Sequence, residues 1–131
     1  MENRTILLVE DREDDIELTM RAFRKCHLSN EIIIARDGQE AIDLLISDKL
    51  ISLPSVVLLD LQLPKVNGIE VLKQIRACEK TRLLPVVILT SSKQQKDVVK
   101  SYGSGANSYV RKPVNFMDFV HAIENLGTYW L

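Results

Sequence analysis

Four places in the sequence put chemistry-bearing residues directly after short apolar runs. Glu10-Asp11 follows ILLV, Asp60 follows VVLL, Thr90 with Ser91 and Ser92 follows VVIL, and Arg111-Lys112-Pro113 follows SYV. If the chain brings these places together, three carboxylates, a hydroxyl and an ammonium meet. Carboxylates at one point repel each other and drive at least one pKa upward unless a counter-charge is present. A divalent cation supplies that charge. Oxygen-only ligands in an incomplete cage suit Mg²⁺, with Mn²⁺ as the alternative, because such a cation keeps several waters and takes phosphate oxygens as well. With Lys112 as a movable positive charge and Thr90 as a donor, the set describes a phosphoryl-transfer site. Asp60 is its natural nucleophile, since carboxylates form acyl phosphates.

The elements that must position these residues are legible in the apolar pattern. Five runs stand out, Ile6–Val9, Ile32–Ala35, Val56–Leu59, Val86–Leu89 and Ser108–Val110. The first four are continuous and rich in Val, Ile and Leu, as strands buried on both faces are. Between them lie stripes at helical spacing: Gly38, Ala41, Ile42 and Leu45; Gly68, Val71, Leu72 and Ile75; Phe116, Phe119, Val120 and Ile123. Residues 13–26 form the first helix, with Ile16, Met20 and Phe23 inward. Asp37-x-x-Glu40 and Asn67-x-x-Glu70 read as capping boxes, and Ser92-x-x-Gln95 opens a further helix. The fifth helix is expected to end near Leu126.

Strand and helix therefore alternate five times. Such alternation gives a parallel sheet with helices on both faces and right-handed crossovers. The expected architecture is a single doubly wound (βα)5 flavodoxin-like α/β sandwich over residues 1–131, strand order 2-1-3-4-5. Ligands in such sheets bind beyond the carboxyl ends of the strands, which is where all four polar groups fall.

Composition sets the outer bounds. The chain has 131 residues, 46% apolar and 27% charged, with formal net charge −1, so one domain with a full core is expected. No basic excess points to nucleic acid, and no apolar run approaches a membrane span. Cys26 and Cys78 have no metal spacing and read as buried inert thiols in a cytoplasmic protein. Ordinary readings compete with each polar residue taken alone. An Asp after a strand is commonly a turn former. Six acids fall within residues 10–17, and most are expected on a solvated helix face. The argument lies in the coincidence of four strand ends.

At this point the chain resembles the receiver domain of two-component response regulators. The carriers are ILLVEDRED, VVLLDLQLPKVNG, PVVILTSS and GANSYVRKP, in that order along the whole chain. The wording LPKVNGIEVLKQIR and the ending TYWL are similar to small stand-alone regulators that partner cyanobacterial phytochrome-type histidine kinases. The resemblance implies that Asp60 accepts a phosphoryl group from a kinase phosphohistidine. Metal would be held by Asp11, Asp60 and the backbone carbonyl of Gln62, with Glu10 acting through a metal-bound water. Lys112 would contact Asp60 before transfer and the phosphoryl oxygens after it. Thr90 and Tyr109 would be the switch pair, altering the surface of the fourth helix, fifth strand and fifth helix. The Lys112–Pro113 bond would be cis. Gln62, Ser91 and Ser92 would tune hydrolysis.

The sequence departs from the family at Glu10, where Asp is commoner, and at Ser91, where Ala is common. No output domain is expected after the fifth helix, so output would be contact with a downstream protein or a phosphotransfer protein and not with DNA. Lys93, Lys96, Lys100, Arg111 and Lys112 make the fourth-helix region basic. Tyr102, Tyr129 and Trp130 are candidate interface anchors, and a homodimer through this face or the C-terminal tail is one expectation. His27 and His121 read as surface helix residues. A dehalogenase-like phosphatase would want a second Asp where Gln62 stands. GxGxxG and GxxxxGK[ST] are absent. The remaining rival is a pseudo-receiver that binds partners without phosphorylation.

Overall fold

The structure, a computed structural model, describes residues 5–28, 30–47, 52–90, 95–112 and 116–130, with only the backbone described at 95, 126 and 128–130. Its strands are β1 (Ile6–Val9), β2 (Ile32–Ala35), β3 (Val56–Leu59), β4 (Val86–Thr90) and β5 (Ser108–Arg111). Its helices are α1 (Glu13–Lys25), α2 (Gly38–Ile46), α3 (Gly68–Ala77), α4 (Gln95–Gly103) and α5 (Phe116–Trp130), with a short 3₁₀ turn over Glu79–Thr81. All strand pairs are parallel, in the order β2-β1-β3-β4-β5. The expected fold class and order are both found.

Continuous apolar strands are explained by two cores, one on each face of the sheet. On one face Leu7, Val9, Val57, Leu59 and Ile88 pack with Ala41, Leu45, Val71, Leu72 and Ile75 of α2 and α3. On the other, Ile6, Leu8, Leu58, Val87 and Leu89 pack with Ile16, Phe23, Phe119, Val120 and Ile123 of α1 and α5. Alternate residues of each strand serve opposite layers, so no position can be polar. At roughly 1.5–3 kcal/mol per fully buried large aliphatic side chain, these layers dominate the stability of the fold. The edge strand β2 is only half-buried until Ala35, as a strand with one neighbour must be.

Helix starts follow the sequence signals. Asp37 accepts from the Glu40 N–H at 2.8 Å and Asn67 from the Glu70 N–H at 3.0 Å. Glu40 reaches back to the Arg36 N–H instead of the capping residue itself. Helix α1 ends with His27 at φ 59°, the Leu28 N–H donating to Phe23 O and the His27 N–H to Arg24 O. That is a Schellman closure with a non-glycine residue in the left-handed position. His27 is exposed but lies in this turn, outside the helix.

Two further expectations are corrected. Helix α5 runs to Trp130, past the expected end near Leu126. Gly127 lies inside the helix, where a Cβ would meet the Leu28 side chain at 3.2 Å. Cys26 and Cys78 are half-buried. The Cys26 thiol donates to Val120 O at 3.4 Å, and burial raises its pKa.

Arg76 of α3 clamps the amino-terminal ends of β4 and β5. Its guanidinium donates to Gly105 O at 2.9 Å, Leu84 O at 2.6 Å, Arg82 O at 3.1 Å and Asn107 Oδ1 at 2.9 Å. Asn107 in turn exchanges bonds with Val86, its N–H to Val86 O and its Oδ1 from Val86 N–H, both at 2.8 Å. No helix among the described residues is long and apolar enough to cross a membrane.

Candidate functional site

The site is assembled by the carboxyl ends of the three central strands and β5. Main-chain bonds carry the sheet ladder one step past each strand. The Glu10 N–H donates to Ala35 O at 2.9 Å, the Asp60 N–H to Val9 O at 3.1 Å, and the Lys112 N–H to Thr90 O at 2.7 Å. Each side chain therefore leaves a backbone already fixed by its neighbour strand. Gly68 lets the start of α3 approach the chain beneath Asp60, since a Cβ there would stand 2.2 Å from Asp60 O.

Lys112 is the centre of the cluster. Its Nζ donates to Glu10 Oε1, to Asp15 Oδ2 at 3.0 Å and to Asp60 Oδ2 at 3.1 Å. The lysine side chain is 8% exposed and Glu10 2%. Glu10 Oε2 also accepts from the N–H groups of Asp11 at 3.1 Å and Arg12 at 3.3 Å. Asp60 Oδ1 accepts from the Gln62 N–H at 3.1 Å.

The electrostatics follow from burial and crowding. Desolvation pushes the Glu10 carboxyl up to about 7, although Lys112 pulls the other way; the Asp60 charge adds to the rise. Burial alone would lower the Lys112 pKa. Glu10, Asp60 and Asp15 together outweigh it and hold the ammonium charged above its usual range.

The carboxylate oxygens of Glu10, Asp15 and Asp60 lie within 4.8 Å of one another. An all-oxygen set of this kind fits a hard divalent cation. The set is not the one read from the sequence. Asp11 is exposed and outside this group, while Asp15 is inside it. Glu10 is 2% exposed beneath Lys112, while its neighbour Asp11 is exposed. Asp15 is one of six acids in residues 10–17; the signal that could have found it is its place in the first turn of α1.

The other predicted residues are placed as follows. Thr90 is fully buried at the end of β4. Tyr109 is half-buried against the α2–α3 core layer. The Gln62 side chain is exposed. Tyr102 is 50% exposed on α4. Ser91, Ser92, Lys93 and Pro113, hence the Lys112–Pro113 bond, lie outside the described residues, as do the side chains of Tyr129 and Trp130. The basic surface is smaller than expected, because Lys112 is spent inside the site.

Comparison with known proteins agrees with this geometry. Residues 6–124 match the family described as Response regulator receiver domain. The chain is 44% identical to the probable methanogenesis regulatory protein FilR2 of Methanothrix harundinacea over 128 residues, covering 96% of this chain and 83% of that one. It is 35% identical to response regulator Rcp1 of Synechocystis, covering 98% and 89%. The Mn²⁺-bound structure of Rcp1 superposes with a TM-score of 0.85 at 34% identity, covering 98% of this chain and 94% of that one. The phosphorylated cyanobacterial phytochrome response regulator RcpA superposes with a TM-score of 0.89 at 32% identity, also covering 98% and 94%. With its family match, its sheet order and its buried lysine among carboxylates, the chain belongs to the response regulator receiver domains of two-component signalling.

Proposed function

We propose that this protein takes a phosphoryl group from the phosphohistidine of a sensor histidine kinase onto Asp60. The observation that carries the reading is the contact of Lys112 Nζ with Asp60 Oδ2 at 3.1 Å, inside a cluster of buried acids. A carboxylate oxygen of Asp60 attacks phosphorus, the P–N bond breaks, and its electron pair stays on the imidazole. Lys112 is placed to neutralise charge on the equatorial phosphoryl oxygens, and the Gln62 N–H to orient the carboxylate.

The metal is Mg²⁺, with Mn²⁺ as its substitute. Asp60, Glu10 through a water, Asp11 and the Gln62 carbonyl are the proposed ligands, and a bound cation supplies further neutralisation of developing charge. Support comes from the carboxylate oxygens that Glu10 and Asp60 bring together here and from the Mn²⁺-bound form of Rcp1. Thr90 and Tyr109 transmit the change to the α4–β5–α5 face, where Val99 and Tyr102 are exposed at 61% and 50%. The partner there is a downstream protein, a phosphotransfer protein or a second copy. A phytochrome-type kinase is the proposed input, supported by the description of RcpA as a phytochrome response regulator.

The test is intact-mass spectrometry after incubation with acetyl phosphate and Mg²⁺, on wild type and Asp60→Asn. A single base-labile phosphoryl adduct, lost without Mg²⁺ and in the variant, is the expected result. Absence of an adduct with both acetyl phosphate and a phosphorylated kinase would overturn the reading.

A further inference from the structure

An ammonium has three donors and no acceptor. On Lys112 all three are in use, on Glu10, Asp15 and Asp60. On the proposed function, two of these partners change during the reaction. Asp60 becomes the acyl phosphate, and the donor now on its Oδ2 passes to a phosphoryl oxygen. Glu10 is shared with the metal. Asp15 is neither acceptor nor proposed ligand, and its bond to Lys112 need not change at any stage.

The structure around Asp15 fits a fixed anchor. It stands in the first turn of α1, where Thr19 Oγ1 donates to its carbonyl at 2.8 Å and its own N–H donates to Asp14 Oδ1 at 3.1 Å. Arg12 Nε lies 3.6 Å from Oδ2, the oxygen that faces Lys112. The side chain is 25% exposed, so its charge is cheaper to keep than that of Glu10. A carboxylate beside a helix amino terminus is also favoured by the helix dipole.

We infer that Asp15 is a positioning residue for phosphoryl transfer: a helix-borne carboxylate that keeps Lys112 Nζ beside Asp60 while Glu10 and Asp60 are engaged elsewhere. The inference rests on the receiver reading above. It assigns α1 a part in the chemistry, because any displacement of its first turn moves the lysine.

Beryllofluoride, a stable stand-in for the phosphoryl group, tests it. Binding is titrated by fluorine NMR at saturating Mg²⁺ in wild type, Asp15→Asn, Asp15→Glu and Asp14→Asn, with Asp15→Ser as a second neutral variant should Asp15→Asn fail to fold. Asp15→Asn keeps an acceptor oxygen but loses the charge, and with it about half the strength of the bond, which predicts roughly 3- to 10-fold weaker beryllofluoride binding. Mg²⁺ affinity without beryllofluoride should stay within about twofold, Asp14→Asn should match wild type, and Asp15→Glu should recover most of the affinity. The Lys112 ammonium nitrogen signal should shift only in the neutral Asp15 variants. Equal or tighter beryllofluoride binding in Asp15→Asn overturns the inference, showing that Asp15 competes for the lysine or is idle. A parallel fall in Mg²⁺ affinity also overturns it, in favour of a metal ligand, and equal weakening in Asp14→Asn reduces it to bulk charge. Wild type that binds no beryllofluoride at all overturns the receiver reading and the inference with it.

Discussion

The Lys112 N–H donates to the Thr90 carbonyl at 2.7 Å, joining the ends of β5 and β4 one residue beyond the last strand pair. The lysine is thus registered to the proposed switch hydroxyl by main chain, and its side chain is free to answer only to charge. Replacing Lys112 by Met should keep this bond and leave three carboxylates without their cation. Breaking a buried pair in this way costs about 3–5 kcal/mol. The metal-free variant should lose stability of that order in urea unfolding at pH 8, and saturating Mg²⁺ should restore most of it. Unchanged stability would mean that the carboxylates are relieved some other way.

The pH dependence follows from Glu10. Its folded pKa is raised to about 7 from 4.5, chiefly by burial. The folded state therefore binds a proton there more tightly than the unfolded chain does. The associated stability is fully present below the unfolded value and is lost as pH rises through about 7. In metal-free protein this contribution should fall by up to about 3 kcal/mol between pH 4.5 and 8. Urea midpoints of wild type and Glu10→Gln measured across that range check it; the variant should lack the decline. Mg²⁺ should bind with proton release near pH 6.5, visible as buffer-dependent heat.

Gly68→Ala should disturb the acceptor directly. The new methyl would sit 2.2 Å from Asp60 O and 2.6 Å from Leu61 Cα, both main-chain atoms that cannot turn aside. Overpacking of this kind costs about 1–3 kcal/mol. Thermal unfolding should show the loss, and phosphorylation by acetyl phosphate should slow as the Asp60 carboxylate is displaced. A variant with wild-type melting would refute the close approach.

His27→Gly should stabilise the protein. A residue with a Cβ holds φ 59° at the end of α1, and left-handed backbone costs such residues about 1 kcal/mol relative to glycine. His27 is exposed and no hydrogen bond to its side chain is observed among the described residues, so a net gain of up to about 0.5 kcal/mol should remain after the roughly 0.5–1 kcal/mol entropy cost of glycine. Chemical denaturation measures it; a loss would show that the imidazole contributes contacts of its own.

The strand runs and helical stripes were legible because two-sided burial leaves a continuous apolar record, as at Val56–Leu59, and one-sided burial a periodic one, as at Gly38, Ala41, Ile42 and Leu45. Glu10, Asp60 and Lys112 were legible because strand ends are fixed by topology. Asp15 was not. Its role depends on how far a helix turn leans over the sheet edge, which no local pattern encodes. Asp11 enters the proposed ligand set through the family resemblance, since no local pattern separates it from Glu10. The reach of α5 was missed because Gly127 has helix-ending chemistry in isolation and a packing reason, Leu28, only in three dimensions.

Arg76 holds the amino-terminal ends of β4 and β5 through four acceptors, while the acids, Thr90 and Lys112 sit at the opposite ends of the sheet. The guanidinium and the ammonium of Lys112 thus stand a full strand length apart on the same two strands. Each end of β4 and β5 therefore has its own fastening, a guanidinium on carbonyls at one and an ammonium among carboxylates at the other, so the register of the two strands does not depend on the charge state of the acids.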